Sequence, residues 1–199
     1  MLFTKPIGWI LFSVCVLAGC VSSENGLVTP NREKVVFDSD LLGDWACVNF
    51  SGAPQPDSSI RIERLDDKIS KESYVFTWLS SGQIAPIPES QKFRGTLVVI
   101  GDSRYLDFSS MDQNSGGRHG FLKVKREKTD LTLYYMNPGY FASNPTSLAH
   151  RFDEGGQGPF TISPPVITAK TPEIHRFLQG HQRDLELWPE ELNLKFRRR

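Results

Sequence analysis

Residues 93–108, FRGTLVVIGDSRYLDF, contain two strand-like segments separated by Gly101-Asp102. Each segment is short and rich in β-branched, aliphatic or aromatic residues, as strands are. A glycine at the first turn position supplies the positive φ that a two-residue hairpin turn requires. This stretch therefore predicts an antiparallel β-hairpin.

The same kind of pattern extends over residues 37–152. Ile60 and Ile62 alternate with charged residues, and Gly120–Arg126 and Leu131–Met136 form a second hairpin pattern around a polar turn. About seven to nine short strands with no helix between them predict an antiparallel sheet that closes, or nearly closes, on itself. The predicted fold class is mainly β, a small antiparallel barrel.

Near the C-terminus the apolar period becomes that of a helix. Thr171 suits an N-cap, and Pro172 and Glu173 suit a first turn. Pro189 would end the helix. We therefore expect one C-terminal amphipathic helix over about 172–188, packed against the barrel wall or closing one end. Its apolar stripe contains Ile174, Phe177, Leu178, His181, Leu185 and Trp188.

The first twenty residues have the features of an export signal. No charged residue lies between Lys5 and Glu24, and small residues precede Cys20. The sequence Leu17-Ala18-Gly19-Cys20 resembles the lipobox of bacterial lipoproteins. That resemblance implies cleavage before Cys20 and attachment of lipid to its thiol and new amino group. An uncleaved membrane anchor is the alternative, although the charge-free run is barely long enough to span a bilayer.

These features divide the chain into a signal peptide (1–19), a flexible tether from lipidated Cys20 (20–36), a barrel domain with its helix (37–188) and a basic tail (189–199), which we expect to be mobile from Lys195 to Arg199. Val21 stands where some bacteria use aspartate to retain lipoproteins in the inner membrane. The resemblance therefore favours anchoring in the outer membrane, facing the periplasm. The expected partner is the lipid bilayer.

Charge and cysteine content restrict the function further. The chain has 23 basic and 23 acidic side chains, and this balance gives no electrostatic reason to expect nucleic-acid binding. Lipidation would consume the Cys20 thiol and leave Cys47 alone in an oxidising compartment. We expect Cys47 to be buried as a small apolar side chain.

Gly43 and Trp45 stand at the start of the first predicted barrel strand. Here the sequence resembles the lipocalin-like barrels, whose first strand is introduced by Gly-x-Trp. The resemblance implies that Trp45 packs at the closed end of the barrel, often beside an arginine from a late strand. Arg118 and Arg151 are the candidates for that arginine.

A small barrel is either filled by its own side chains or keeps room for one ligand. Inward aromatic residues fit both alternatives, because they dominate ordinary cores as well as apolar pockets. One hypothesis is therefore a binding module for an apolar small molecule or lipid. The other is an envelope interaction protein with a filled barrel, which binds a protein or cell-wall partner through its loops or helix. The candidate pocket residues are Phe76, Trp78, Tyr105, Tyr134 and Tyr135.

No sequence motif of a hydrolase, metalloprotease, phosphate-binding loop or dithiol site occurs in the chain. His119 lies beside Arg118 and before Gly120, and it is the leading candidate among the histidines for a functional role. No positioned partner for it is visible in the sequence. We therefore expect no catalytic residues, no metal site and no cofactor.

The lipobox interpretation predicts the effect of Cys20→Ser. Without the thiol the precursor cannot be acylated, so we expect it to stay uncleaved at this site. Metabolic labelling with palmitate and the electrophoretic size of the product measure both effects. Unchanged processing and membrane attachment of the variant would contradict the interpretation.

Overall fold

The computed structural model describes residues 21–31, 34–48, 52–65, 72–80, 90–112, 117–153 and 164–199. The predicted signal and Cys20 lie outside this part of the chain. Its helices are α1 (Pro138–Ser143) and α2 (Thr171–Gly180), with short 3-10 turns at Ser39–Leu41 and Glu190–Leu192. The strands are β1 (Ser22–Ser23), β2 (Val35–Val36), β3 (Gly43–Val48), β4 (Pro54–Arg64), β5 (Ser73–Ser80), β6 (Ser90–Ile100), β7 (Ser103–Ser110), β8 (His119–Glu127), β9 (Asp130–Tyr135), β10 (His150–Phe152), β11 (Pro165–Ile167) and β12 (Asn193–Arg198).

Eight of these strands close into an antiparallel barrel. From β3 to β9, each strand pairs with the next one along the chain. β12 pairs with β9 on one side and with β3 on the other, and this closes the ring. The prediction of a mainly β fold with a small antiparallel barrel is confirmed.

Both predicted hairpins are present. Ile100 pairs with Ser103 across a turn in which Gly101 has a φ of 58°. Glu127 pairs with Asp130 across the second turn, where Lys128 has a φ of 50°. Backbone in this left-handed region favours glycine, so the first turn has the more suitable residue.

Inward side chains fill most of the barrel interior and form what we call the inner core. Trp45, Tyr74 and Phe196 are its largest completely buried members. Removal of this apolar surface from water is the main favourable contribution to the fold. The other buried members are Leu41, Cys47, Ile60, Ile62, Phe76, Leu97, Leu106, Leu122, Leu131, Leu133 and Leu194.

An outer core covers the outside of β6, β7 and β8. Val98, Tyr105 and Phe121 belong to it, whereas their chain neighbours Leu97 and Leu106 belong to the inner core. This division follows from the alternation of side chains along a strand. The covering elements are the N-terminal segment, the chain from Met136 through α1 to Leu148, β11 with Ala169 after it, α2 and the loop after α2. They contribute Val21, Leu27, Met136, Tyr140, Phe141, Leu148, Ile167, Ala169, Ile174, Phe177, Leu178, Leu187 and Trp188.

The predicted helix over 172–188 is present only in part. α2 ends at Gly180, and the chain then turns so that Trp188 reaches the outer core from a loop. Leu185, predicted in the apolar stripe, is 72% exposed. Thr171 does not cap the helix, since its hydroxyl donates to the carbonyl oxygen of Gly26 over 2.7 Å. The helix also lies before the last barrel strand, and not after the barrel.

The prediction of a tail over 189–199 that is mobile from Lys195 to Arg199 is wrong. This segment contains β12, in which Leu194 and Phe196 are buried and Lys195 and Arg197 are exposed. The period of two is that of a half-buried strand. Its outward positions carry many positive charges, as solvated termini do. For this reason the sequence alone predicts a mobile terminus here.

The prediction of a flexible tether over 20–36 is also wrong where the structure describes it. Val21 is 7% exposed and Leu27 is completely buried, both in the outer core. β1 pairs with β8 and with β11, and β2 pairs with β6. The polar composition suggested a linker because its few apolar residues have no regular period.

The role of β12 predicts a large effect of Phe196→Ala. The side chain is completely buried between β3 and β9, so truncation should lower the free energy of unfolding by about 3–5 kcal/mol. Urea denaturation followed by tryptophan fluorescence measures this change. The matched control is Lys195→Ala, an exposed neighbour in the same strand, which should change stability by less than about 0.5 kcal/mol. Equal effects of the two substitutions would contradict the assignment of β12 as the closing strand.

Candidate functional site

The five predicted pocket residues divide between the two cores. Phe76, Trp78 and Tyr135 face the barrel interior, where Phe76 is buried and the other two are partly buried. Tyr105 and Tyr134 belong to the outer core. Tyr134 and Tyr135 are adjacent in β9, so they must point to opposite faces of the sheet. The structure therefore brings together three of the five.

Four aromatic side chains face inward near one end of the barrel, which we call the mouth and define by Trp78, Phe93, Phe108 and Tyr135. Trp78 and Phe108 lie two residues before the ends of β5 and β7, and Phe93 lies three residues after the start of β6. Tyr135 is the last residue of β9. All four are partly buried and pack against the inner core. The mouth therefore presents aromatic rings that the fold does not cover completely.

The rings of the mouth meet edge to face. The centroids of Phe93 and Phe108 are 5.8 Å apart, at an interplanar angle of 86°. Trp78 meets Phe196 at 5.9 Å and 82°. Such T-shaped pairs place the positive edge of one ring against the negative face of the other. This packing holds the rings in defined orientations.

Two glycines make room for the rings at and below the mouth. A Cβ atom at Gly95 would lie 2.6 Å from Cε2 of Phe76, and one at Gly120 would collide with the ring of Phe108. Any larger residue at these positions would displace the rings. Sequence reasoning did not include Phe93 and Phe108 among the pocket residues. Phe93 lies two residues before Gly95, and Phe108 lies two residues after Leu106, so each pair shares a face of its strand. Once the hairpin register is known, this spacing indicates that both phenylalanines face the barrel interior.

The opposite end of the barrel is closed around Trp45. Its indole N–H donates to the carbonyl oxygen of Leu41 over 2.9 Å. The guanidinium carbon of Arg198 lies 5.2 Å from the centroid of the indole ring, and the same guanidinium donates to the carbonyl oxygens of Asp40 and Leu42. A cation over the ring face is attracted by its quadrupole. The arginine beside the tryptophan is thus Arg198, from the last strand.

The two arginines suggested by the sequence are elsewhere. Arg118 forms an ion pair with Asp153, and Arg151 forms ion pairs with Glu24 and Asp153. These residues lie around β1 and β10, outside the barrel ring. The predictions of Arg118 and Arg151 as partners of the tryptophan are wrong. The sequence does not suggest Arg198 because the basic composition of its segment predicts a tail and not a strand.

His119 has a positioned partner, and that partner also holds the N-terminal segment. Its Nδ1 atom lies 2.6 Å from Oδ1 of Asp107, whose other oxygen accepts the backbone N–H of Leu27 over 2.6 Å. Asp107 is only 5% exposed. Its hydrogen bond raises the pKa of His119. Gly26 passes so close that a Cβ atom there would lie 2.7 Å from the Asp107 carboxylate.

His175 holds the same segment from the other side. Its Nε2 atom donates to the carbonyl oxygen of Leu27 over 2.7 Å, and Nδ1 lies 3.3 Å from the ammonium nitrogen of Lys34. These two bonds fit a neutral ring with its proton on Nε2. Burial lowers the pKa of His175, and the charge of Lys34 acts in the same direction. Asp107 and His175 therefore fix Leu27 in place through its backbone, and His119 bonds to Asp107.

A groove of about 480 Å³ lies outside the barrel, between β7, β8 and the loop after α2. Tyr134 and Lys123 line it on one side, and Arg183 and Leu185 on the other. The Lys123 ammonium donates to the carbonyl oxygen of Gln182. Burial, followed by the charges of Arg183 and Lys125, lowers the pKa of Lys123.

Cys47 is a free thiol in the inner core. Burial raises the pKa of this thiol, which keeps it in the protonated form that reacts slowly. Among the residues that the structure describes, no group of three or more His, Cys, Asp or Glu side chains is placed to hold a metal ion.

No protein-family model matches the chain, and no curated protein or solved structure is significantly similar to it. Within the described ranges, none of the helices has the length and apolar character needed to cross a membrane.

The raised pKa of His119 predicts a pH dependence of stability. A group whose pKa is higher in the folded state contributes its full stabilisation at a pH below the pKa of the unfolded state, here 6.5. This contribution is lost as the pH rises through the pKa of the folded state. We therefore expect the midpoint of urea unfolding to fall as the pH rises above 6.5. His119→Gln should reduce this slope.

The matched control is His150→Gln, a substitution on β10 where the ring bonds to the carbonyl oxygen of Leu148. It should leave the slope above pH 6.5 in place. A slope that is the same in the wild type and in His119→Gln would contradict the role of the Asp107–His119 pair.

Proposed function

We propose that this protein is a lipid-anchored, non-enzymatic component of the bacterial cell envelope whose barrel binds a small apolar molecule at its mouth. The observation that supports binding is the partial exposure of the mouth residues Trp78, Phe93, Phe108 and Tyr135, which point inward. Concave sites lined by aromatic side chains are typical of small-molecule binding. At the other end, by contrast, Trp45 is completely buried.

The inner core restricts the size of such a ligand. Phe76 lies one inward position deeper than Trp78 and is buried against Gly95. The side chains of Ile62, which pairs with Phe76 across the strands, and of Tyr74, one inward position deeper, are almost completely buried. A ligand at the mouth would therefore occupy a shallow site and bind through ring contacts and the exclusion of water. These features favour a small planar molecule or the end of one acyl chain.

The envelope assignment depends on Leu17-Ala18-Gly19-Cys20. Lipidation of Cys20 would attach the protein to a bilayer, and Val21 favours the outer membrane and a periplasmic domain. The described polar groups support a role without catalysis, since Asp107 and His119 form hydrogen bonds that hold the N-terminal segment.

The filled inner core favours the second candidate function, an interaction protein. If the mouth is too shallow for a ligand, the barrel would serve as a rigid scaffold. A protein or cell-wall partner would then bind its loops or the surface around α2. The two candidates differ in whether the purified domain takes up an apolar molecule.

We expect the exported domain from Val21 to Arg199 to bind N-phenyl-1-naphthylamine with an increase in its fluorescence. Trp78→Ala removes one wall of the mouth, so binding should weaken at least about tenfold, equivalent to ~1.4 kcal/mol. The matched control is Leu185→Ala, which removes an exposed apolar side chain outside the barrel and should leave affinity unchanged. Fluorescence titration measures both, and denaturation curves show whether each variant is folded.

Native mass spectrometry of the same domain, purified gently from its own host, gives the complementary result. An added mass that disappears on denaturation would support ligand binding and give the mass of the ligand. A bare chain mass, together with no uptake of the naphthylamine by the wild type, would overturn the binding proposal in favour of the interaction protein.

A further inference from the structure

The chain is part of the folded domain from the first described residue onward. Val21 is 7% exposed in the outer core, and Ser23 is completely buried. Ser22 pairs with Gly120 of β8 and with Val166 of β11. The first described residues therefore lead directly into a strand that is paired on both sides.

Further bonds hold the next residues. The backbone N–H of Glu24 donates to the carbonyl oxygen of Ile167 over 3.0 Å. The side-chain amide of Asn25 donates to the carbonyl oxygen of Ala169, also over 3.0 Å. Leu27 is held by Asp107 and His175. A segment with this many partners cannot serve as a spacer without loss of its buried contacts.

This arrangement limits the distance between a lipid on Cys20 and the domain. Consecutive Cα atoms are about 3.8 Å apart across a trans peptide bond. An anchor at residue 20 is therefore one residue away from Val21, which is buried. When the acyl chains on Cys20 enter a bilayer, the lipid headgroups must therefore come close to the protein surface beside Val21.

The strand register identifies that surface. Ser22, Val166 and Arg151 lie in one row across β1, β11 and β10. One residue further along, Pro165 pairs with Phe152, and Val21 directly precedes Ser22 in the chain. Phe152 is 41% exposed and lies at the edge of this sheet. An exposed aromatic ring near the anchor is suited to the interface between water and the lipid headgroups.

The charges of this edge are balanced. The side chains of Arg151 and Arg118 are 48% and 41% exposed, and they pair with Glu24 and Asp153. The edge therefore presents an aromatic ring among paired charges, which suits a zwitterionic surface without a requirement for anionic lipid.

We propose that the barrel docks directly on the bilayer in one orientation, with the edge strand β10 around Phe152 and the nearby start of β1 against the headgroups. This inference rests on the proposed lipidation of Cys20, and it adds that the anchor has no tether. Leu185 lies beside the last residues of β8, whereas β1 pairs with the first two residues of that strand. Leu185 would therefore point into water, away from the bilayer. Gly120 and Arg126 are six positions apart along β8, a distance of about 20 Å.

The test uses the full chain, processed and lipidated in its bacterial host and reconstituted into phosphatidylcholine vesicles. Phe152→Cys and the control Leu185→Cys are each labelled with a nitroxide, in a Cys47→Ala background. Electron paramagnetic resonance then compares collisions of each label with oxygen and with a water-soluble nickel complex. We expect the label at 152 to collide severalfold less often with nickel than the label at 185.

A third protein carries a ten-residue Gly-Ser spacer between Cys20 and the residue after it, together with the label at 152. It should remain on the vesicles while its label becomes as accessible to nickel as the label at 185. Continued protection would contradict the role of the short anchor.

The failures are distinguishable. If the protein floats with the vesicles but the labels at 152 and 185 are equally accessible to nickel, direct docking is wrong while lipidation is retained. If the protein does not float with vesicles and carries no acyl group, the proposed lipidation fails, and this inference fails with it.

Discussion

The pairing of β12 between β9 and β3 is the interaction on which the rest of the structure depends. Five residue pairs join it to β9 and four join it to β3. Without this strand, β3 and β9 would each present an unpaired edge, and such edges favour association with other chains. The same strand brings Phe196 into the inner core and Arg198 over Trp45. One short segment therefore closes the ring of strands, completes the core and covers the closed end.

The chain between β9 and β12 must leave the barrel and return to it. It does so by building the outer core on β6, β7 and β8, which are consequently covered on both faces in their middle parts. Strands covered in this way lose the simple alternation of apolar and polar residues. The N-terminal segment completes this layer, and Asp107 and His175 hold Leu27 through its backbone.

This architecture gives the molecule two separable regions. The mouth is formed by inward rings of the barrel strands, whereas β1 and β10 lie on the outside beside the predicted anchor. β1 nevertheless pairs with Gly120, and the same glycine makes room for the ring of Phe108 at the mouth. A single residue thus joins the surface proposed to face the bilayer to the site proposed to bind a ligand.

The sequence by itself determined the hairpins and the closed antiparallel sheet, because turn residues such as Gly101 and the alternation around Ile60 act over a few positions. It also placed Trp45 at the start of the first barrel strand. These features need no information from distant parts of the chain.

Only the tertiary structure decided which face of each strand is inside. The sequence predicts Tyr105 and Tyr134 in the pocket with Trp78 because both faces of their strands carry apolar residues. The basic segment around Phe196 is predicted as a tail because the positive charge on its outward positions is typical of a solvated terminus, and the polar residues after Cys20 are predicted as a tether because their few apolar residues have no regular period. Each gains its stability from partners about sixty or more residues away in the chain, and contacts of that kind cannot be seen in a local window of sequence.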